Sequence, residues 1–128
     1  MSTALRTLRP QLQPLARAFV NVLVAAGYRV TVTSVRRDRD KQRELWERCM
    51  AGASRFPAAF PGSSPHELGI AFDLSLDPPQ YEGPGRLWER LGFRWGGRFR
   101  DAIHFDFYPR GFLPPRHPES CPGPGTRA

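Results

Sequence analysis

The chain has 128 residues, of which 40% are hydrophobic and 24% charged, as expected for one globular domain with a modest core and no second module. Its longest apolar stretch, Ala18 to Gly27, contains Asn21 and is far shorter than the roughly 20 residues that span a membrane. The formal net charge of +7 predicts attraction to polyanions. The arginines are scattered, however, and no aromatic-interleaved motif accompanies them, so specific nucleic-acid binding is not predicted.

The first predicted element is an amphipathic helix over Leu5 to Ala26, because leucines and Phe19 recur at spacings of three and four residues. Pro10 and Pro14 should delay the regular part of this helix or kink it, since proline lacks the N–H that an interior helical position donates. Gly27 is well placed to end the helix.

Short strands and two further helices follow. A strand is predicted over Tyr28 to Ser34, where Val30 and Val32 alternate with polar residues, and a helix capped by Asp38 or Asp40 comes next. The order of elements predicts an α+β fold, in which helices pack on one face of a small, mainly antiparallel sheet. The remaining elements, in chain order, are a long loop over Gly52–Pro65, a strand over Ile70–Leu76, a short helix over Gly85–Leu91, and strands over Phe93–Trp95 and Ile103–Tyr108.

The composition changes after residue 110. Residues 1–110 form the predicted domain, whereas residues 111–128 are rich in proline and glycine and are predicted to be an extended or disordered tail. Of the two cysteines, Cys49 lies in the second helix and Cys121 in this tail, and they do not form a metal-binding CxxC pattern. A disulfide between them remains an alternative, but two free thiols are the preferred interpretation.

Two of the three histidines occur near carboxylates in apolar segments. His66 ends the long loop, and Asp73 follows inside IAFDLSL, where an unpaired carboxylate is costly to bury. His104 lies in a second apolar strand, and Asp106 beside it either hydrogen-bonds a ligand histidine or faces outward. Singly, such residues are more often core or ion-pair residues. Together, two imidazoles and a carboxylate are a common catalytic zinc ligand set, so the combination predicts bound Zn2+ with an open fourth position.

Two further side chains suit hydrolytic chemistry at such a site. Asp101 stands three residues before His104 and could project into the same pocket, where a carboxylate can take a proton from water. A surface ion pair with Arg98 or Arg100 is the alternative for Asp101. Arg37 presents a planar donor fork that suits a carboxylate or a developing oxyanion, and a solvated surface charge is its alternative.

Three blocks of this sequence resemble those of a known family. They span about Tyr28 to Asp106 and are similar to the zinc D,D-carboxypeptidases and L-alanyl-D-glutamate endopeptidases, which include vancomycin-resistance D,D-peptidases and many phage endolysins. The chain has Arg36 where an aromatic residue is usual. The blocks are Thr33-Ser34-x-x-Arg37 with Gln42 and Leu45-Trp46; Ser64-x-His66-x-x-Gly69-x-Ala71-x-Asp73; and Gly92-Phe93-x-Trp95-Gly96-Gly97-x-Phe99 followed by Asp101-x-x-His104-Phe105.

The resemblance implies a role for each matching position. It implies that His66, Asp73 and His104 are the zinc ligands and that Asp101 is the catalytic acid/base. It further implies that Arg37 contacts the substrate or polarises the scissile carbonyl, and that Gln42 and Ser64 line the site.

The resemblance further implies a monomeric zinc peptidase that cuts the stem peptide of bacterial peptidoglycan. The aspartate at position 101 resembles the residue that the L-Ala–D-Glu endopeptidases carry there, whereas the D,D-dipeptidases usually carry a glutamate. The endopeptidase is therefore the preferred prediction, and a D-Ala–D-Ala carboxypeptidase is the alternative. The small size and the absence of a signal-like N-terminus favour a phage endolysin, made in the host cytoplasm and acting on the wall after release. Alternatives of other classes are a catalytically weak wall-binding module and a basic nucleic-acid-binding domain.

Overall fold

The computed structural model describes residues 3–123 of the chain. Three α-helices and four β-strands follow the predicted order, with short 3-10 turns at the start of the chain and between the last two strands. The elements are η1 (Thr3–Thr7), η2 (Pro10–Leu12), α1 (Gln13–Ala25), β1 (Arg29–Ser34), α2 (Arg39–Met50), β2 (Ala71–Asp77), α3 (Glu82–Arg90), β3 (Phe93–Trp95), η3 (Gly96–Phe99) and β4 (His104–Pro109).

The segment predicted as one helix over residues 5–26 is regular only within α1. Pro10 and Pro14 occupy the first turns of η2 and α1, where a missing N–H costs no internal hydrogen bond. The two prolines therefore divide the segment into two 3-10 turns and a helix. Several of its apolar side chains are nonetheless buried, and Leu5 of η1 and Leu8, which directly follows η1, join the core.

The four strands form a single antiparallel sheet in the order β1-β2-β4-β3. In the pairing of β2 with β4, Phe72 lies opposite Phe105 and Asp73 lies opposite His104. Because side chains alternate between the two faces of a strand, Phe72 and Phe105 share one face while Asp73 and His104 share the other. This register separates the apolar core from the two side chains predicted to bind metal.

Aromatic side chains dominate the core face of the sheet. Phe19 of α1 lies 4.8 Å from Trp88 of α3 and 5.4 Å from Phe105, measured between ring centroids. Burying a large apolar side chain completely stabilises a fold by about 1.5–3 kcal/mol, so this cluster holds α1 and α3 against the sheet. The predicted α+β fold is thereby confirmed. Within the described residues, no helix is long and apolar enough to cross a bilayer.

The chain beyond β4 is fastened to the domain by covalent and hydrogen bonds. We call residues 111–123 the C-terminal strap; they contain no helix or strand. Cys121 forms a disulfide with Cys49 of α2, so the prediction of two free thiols is wrong. Cys121 also exchanges two backbone hydrogen bonds with Ala58, at 2.8 and 3.0 Å. Residues 124–128 of the predicted tail lie outside the described part of the chain.

Aromatic and polar contacts add to the attachment of the strap. The ring of His117 stacks on Phe60 with 4.2 Å between centroids and 16° between planes. Trp46 Nε1–H donates to the carbonyl oxygen of Glu119 at 2.7 Å, and the backbone N–H of Phe60 donates to Ser120 Oγ at 2.9 Å. The strap therefore lies against α2 and the 52–65 loop. Its composition gave no signal for this attachment except the second cysteine.

Candidate metal centre

Three ligand atoms converge on the sheet face opposite the core. Asp73 Oδ1 lies 3.1 Å from His66 Nε2 and 3.4 Å from His104 Nδ1, and the two ring nitrogens are 3.2 Å apart. Ligands bound about 2.05 Å from a tetrahedral zinc ion stand about 3.3 Å from one another. All three residues are buried. Their spacing and their donor chemistry therefore both fit zinc.

The second ring nitrogen of each histidine is fixed by a hydrogen bond. His66 Nδ1–H donates to the carbonyl oxygen of Val35 at 2.6 Å, and His104 Nε2–H donates to Asp106 Oδ2 at 2.7 Å. Arg94 in turn holds Asp106 through three hydrogen bonds of 2.6–3.2 Å. These partners leave His66 Nε2 and His104 Nδ1 facing the cluster, and such partners raise the basicity of a ligand histidine. Asp106 therefore hydrogen-bonds a ligand histidine and does not face outward. The sequence did not predict the role of Arg94.

Arg37 is an anchored side chain rather than a solvated surface charge. Its Nη2 donates to Asp73 Oδ2 at 3.0 Å, its Nη1 to Gln42 Oε1 at 3.1 Å and its Nε to Ser34 Oγ at 2.9 Å. An irregularity in the pairing of β1 with β2, after Val32, sets Ser34 opposite Asp73. Asp73 thus offers one oxygen to the cluster while Arg37 holds the other oxygen.

Gln42 and Ser64 line the cleft, but each also has a polar partner within the protein. Gln42 Nε2 donates to the carbonyl oxygen of Ala59 at 2.9 Å, and Ser64 Oγ accepts the backbone N–H of His66 at 3.2 Å. Both side chains therefore support the loop that carries His66, and their contact with substrate stays a prediction. Glu67 was left without a role by the sequence. Its carboxylate accepts backbone N–H groups of the same loop at 2.9–3.3 Å.

Asp101 lies on a tightly closed turn between η3 and β4. Its backbone N–H donates to the carbonyl oxygen of Gly96 at 2.9 Å, and its own carbonyl oxygen accepts the N–H of His104 at 3.0 Å. Within residues 3–123 the Asp101 carboxyl group has no hydrogen bond or ion pair. Arg98, one of the two alternative partners predicted for it, binds Glu89 instead at 2.8 Å. The structure therefore leaves the Asp101 carboxyl group available to the cleft.

Burial and charge shift the pKa values of the cluster in different directions. Burial raises the pKa of Asp101 to about 6; the nearby His104 opposes this rise and Asp73 adds to it. Burial lowers the pKa of His66. Burial also opposes ionisation of Asp73, but His66 and His104 outweigh it and hold the pKa of that carboxyl far below its usual value. Near neutral pH, Asp73 is therefore a carboxylate, His66 is neutral, and Asp101 is a base whose pKa is close to the working pH.

An open cleft with a volume of about 760 Å³ contains the cluster. Its walls come from the 52–65 loop, from η3 and from the C-terminal strap. A cleft of this size accommodates a peptide of several residues. The arginines that line it outnumber the aspartates, so its charge suits an anionic substrate. The arginines are Arg37, Arg94, Arg98, Arg100 and Arg116, and the aspartates are Asp73 and Asp101.

The sequence matches the family model of the VanY D-alanyl-D-alanine carboxypeptidases over residues 5–89. This range contains Arg37, His66 and Asp73 but ends before Asp101 and His104, which the sheet brings to the same site. No significant relative is found among curated proteins.

Several solved structures share the fold. One is a mutant of the vancomycin-resistance D,D-pentapeptidase VanY from a VanB-type cassette, in complex with Zn(II), with a TM-score of 0.63, 20% identity and coverage of 78% of this chain and 72% of that chain. A second is VanYB in complex with D-alanine-D-alanine (TM-score 0.58, 19% identity, 78% and 71% covered). A third is the L,D-carboxypeptidase DacB from Streptococcus pneumoniae (TM-score 0.60, 20% identity, 80% and 67% covered). At these identities the likeness establishes the fold.

The fold and the site define a metal-dependent peptidase. Since the family match covers more than half of the chain, the protein belongs to the VanY D-alanyl-D-alanine carboxypeptidase family of zinc-dependent enzymes that act on peptidoglycan. The predicted family, enzyme class and zinc cofactor are confirmed. The match supports carboxypeptidase activity, which was the predicted alternative to the L-Ala–D-Glu endopeptidase.

Proposed function

We propose that this protein is a zinc D,D-carboxypeptidase that removes the C-terminal D-Ala from the stem peptide of peptidoglycan. The observation that carries the proposal is the available carboxyl group of Asp101, on a turn hydrogen-bonded to His104, in the cleft that holds a three-ligand zinc cluster. The family match and the fold shared with a D-Ala-D-Ala complex support this choice of substrate.

Asp101 performs the proton transfers in the proposed reaction. When bound, zinc supplies Lewis-acid polarisation of a carbonyl and lowers the pKa of water from 15.7 to about 7. Asp101 accepts a proton from the attacking water and then donates it to the amine of the departing D-Ala. Burial raises the pKa of Asp101 to about 6, so its carboxylate is a stronger base towards the attacking water than a carboxylate with the ordinary pKa of 3.8.

Arg37 contributes positive charge and order beside the reacting carbonyl. Because two of its nitrogens are bound by Asp73 and Gln42, its guanidinium is held in one orientation before substrate arrives. A preorganised cation of this kind stabilises negative charge that develops on the carbonyl oxygen without reorganising during the reaction. His66, Asp73 and His104 would hold the zinc ion.

Two variants test the proposal against an exposed control. Asp101→Asn should bind zinc as the wild type does and lose roughly 10²–10⁴-fold in kcat, the range expected for loss of a general acid/base. His66→Ala should lose both zinc and activity. Asp40→Asn, an exposed aspartate of α2, should change neither. D-Ala release from a pentapeptide substrate, measured by mass spectrometry beside the zinc content, reports these results. Substantial turnover by Asp101→Asn contradicts the assigned role.

A second candidate, the L-Ala–D-Glu endopeptidase, is favoured by one observation. Position 101 is an aspartate, as in the endopeptidases that the sequence resembles. Mass spectrometry of digested peptidoglycan separates the two activities. A carboxypeptidase shortens each stem by one alanine and leaves it on the glycan, whereas the endopeptidase releases the stem beyond L-Ala.

The endolysin role and its place of action remain predictions, with support from one feature. Disulfides persist in oxidising surroundings, so the Cys49–Cys121 bond suits an enzyme that works on the wall outside the cytoplasm. A turbidity assay on purified cell walls tests the lytic role. An endolysin should clear the suspension, a carboxypeptidase should release D-Ala without clearing it, and a catalytically weak wall-binding module should bind without releasing any product.

A further inference from the structure

We propose that Arg116, in the C-terminal strap, is a specificity-determining residue that binds a carboxylate of the stem peptide. This inference rests on the proposed function for the identity of its substrate. It concerns a part of the chain beyond the region matched by the family model, which ends at residue 89.

Four of the five arginines that line the cleft already have partners. Arg100 has an interaction partner as well as a left-handed backbone conformation, with φ of 64°. An arginine whose guanidinium is already held by a protein carboxylate has fewer N–H donors left for a bidentate pair with a carboxylate of the substrate. The other three arginines form ion pairs, namely Arg37 with Asp73 at 3.0 Å, Arg94 with Asp106 at 2.6 Å, and Arg98 with Glu89 at 2.8 Å.

Arg116 differs from these arginines. Within residues 3–123 its guanidinium has no hydrogen bond, ion pair or aromatic contact, although it lines the same cleft as His66 and His104. Among the described residues that line the cleft, Arg116 is therefore the arginine that is free to bind an anionic group of the substrate. A guanidinium matches a carboxylate with two parallel hydrogen bonds, which gives it selectivity for this group over an amide.

The backbone that carries Arg116 is held in place on its C-terminal side. The next residue, His117, stacks on Phe60, and five residues beyond Arg116 the chain is tied to α2 by the Cys49–Cys121 disulfide. An arginine on such an anchored segment loses less conformational freedom on binding than one on a loose tail, so more of the interaction energy appears as affinity.

The stem peptide offers this arginine two carboxylates, at the C-terminal D-Ala and on D-Glu. A carboxypeptidase must distinguish a free C-terminus from a chain that continues, and a guanidinium that pairs with the terminal carboxylate would supply that distinction. The D-Glu carboxylate could pair with Arg116 in the same way, so synthetic substrates must show which of the two carboxylates is bound. A peptide with a C-terminal amide removes the first carboxylate, and a peptide with D-isoglutamine removes the second.

The experiment compares Arg116→Gln, Arg116→Lys and the matched control Arg29→Gln on these substrates. Arg29 is an exposed arginine of β1 outside the cleft lining, so its replacement removes the same charge elsewhere. Arg116→Gln should raise KM for the natural pentapeptide about tenfold with little change in kcat, as loss of one charge-assisted hydrogen bond predicts. Arg116→Lys should recover part of this loss. On the peptide that lacks the bound carboxylate, wild type and Arg116→Gln should have equal KM values.

Binding of the same peptides to the zinc-loaded Asp101→Asn protein, measured by calorimetry, separates this inference from the proposed function. If the wild type turns over but Arg116→Gln leaves KM and Kd unchanged on every substrate, the inference is overturned and the function stands. If no turnover occurs yet Arg116→Gln weakens binding about tenfold, the function fails and the inference stands. An equal loss in Arg29→Gln would assign the effect to net charge and overturn the inference.

Discussion

Asp106 accepts the Nε2–H of His104 at 2.7 Å from a position that is fully buried, with a relative exposure of 0%. The bond orients the His104 ring so that its Nδ1 lies 3.2 Å from His66 Nε2 and 3.4 Å from Asp73 Oδ1. Arg94 balances the buried carboxylate on its other side. The ligand histidine is therefore positioned by a chain of two charged residues, Asp106 and Arg94.

Weakening this support should weaken the metal site. In Asp106→Asn, His104 loses its charged acceptor, and loss of such a partner typically lowers metal affinity about 10–100-fold. Competition with a chelator measures the zinc affinity, and activity should recover when zinc is raised. Asp40→Asn is the exposed control. An unchanged zinc affinity in Asp106→Asn would show that the hydrogen bond does not orient the ligand.

Removing the other partner of Asp106 should destabilise the fold. Arg94→Gln leaves the fully buried Asp106 carboxylate with His104 as its remaining charged partner, and breaking one buried ion pair costs up to about 3–5 kcal/mol. Arg94 also packs over Phe99 and Tyr108 with its guanidinium carbon 4.7 and 5.2 Å from the ring centroids. Urea unfolding of the metal-free protein measures the loss.

The exposed pair of Arg98 with Glu89 provides the comparison for Arg94. The Arg98 side chain is 57% exposed, and solvent screens an ion pair of this kind. Arg98→Gln should therefore leave the urea midpoint almost unchanged. Equal losses in Arg94→Gln and Arg98→Gln would show that burial of Asp106 does not set the cost.

Asp101→Asn should stabilise the metal-free protein although it lowers the turnover of the zinc-loaded enzyme. The folded state binds the Asp101 proton more tightly than the unfolded chain does, since burial raises the pKa from 3.8 to about 6. Stability contributed by this group therefore falls as pH rises from about 4 to about 6 and stays low above that pH. At pH 7.5 the neutral asparagine should gain on the order of 1–3 kcal/mol, and the gain should vanish near pH 4. A gain that did not depend on pH would contradict this origin.

The sequence was most informative about the three metal ligands, because their residue types and spacing are visible in short segments of the chain. Asp73 and His104 lie in apolar segments where polar groups need partners, and their spacing with His66 at the end of the long loop selected the three together. The antiparallel register of β2 with β4 brings two of them together. Asp106 could not be assigned, because an aspartate two residues from a ligand reads equally well as an outward charge. Its role depends on Arg94, which reaches it only through the pairing of β3 with β4.

The C-terminal strap could not be predicted from its own composition. Proline and glycine deprive it of regular structure, and its two large apolar residues, Phe112 and Leu113, are exposed, so the sequence gives no local reason for order. Its position follows from non-local contacts with α2 and the 52–65 loop, of which the Cys49–Cys121 bond is the strongest. Two cysteines separated by 72 residues do not show in the sequence whether they meet.

Loss of that disulfide should lower the stability of the protein. A bond that closes a loop of this length limits the unfolded chain, and the chain-entropy model gives about 4 kcal/mol. The double variant Cys49→Ser/Cys121→Ser should therefore unfold at lower urea, by roughly 2–4 kcal/mol. Reductant should shift the wild type in the same direction and leave the double variant unaffected. If wild type and double variant unfold together without reductant, the bond does not contribute in solution.

Gly96 provides a test of how tightly the turn beneath the site is built. A Cβ added there would collide with the carbonyl oxygen of Asp101 and would lie 2.8 Å from the Cβ of His104, so the backbone carrying both residues must move. Gly96→Ala should cost about 1–3 kcal/mol, as overpacking does, and should weaken zinc binding because His104 is displaced. Gly83→Ala is the matched control, since a Cβ at that position in α3 meets nothing within 4 Å and alanine favours a helix. Because both variants add one methyl group, equal stability and equal zinc affinity in the two would show that the turn can relax without disturbing the metal centre.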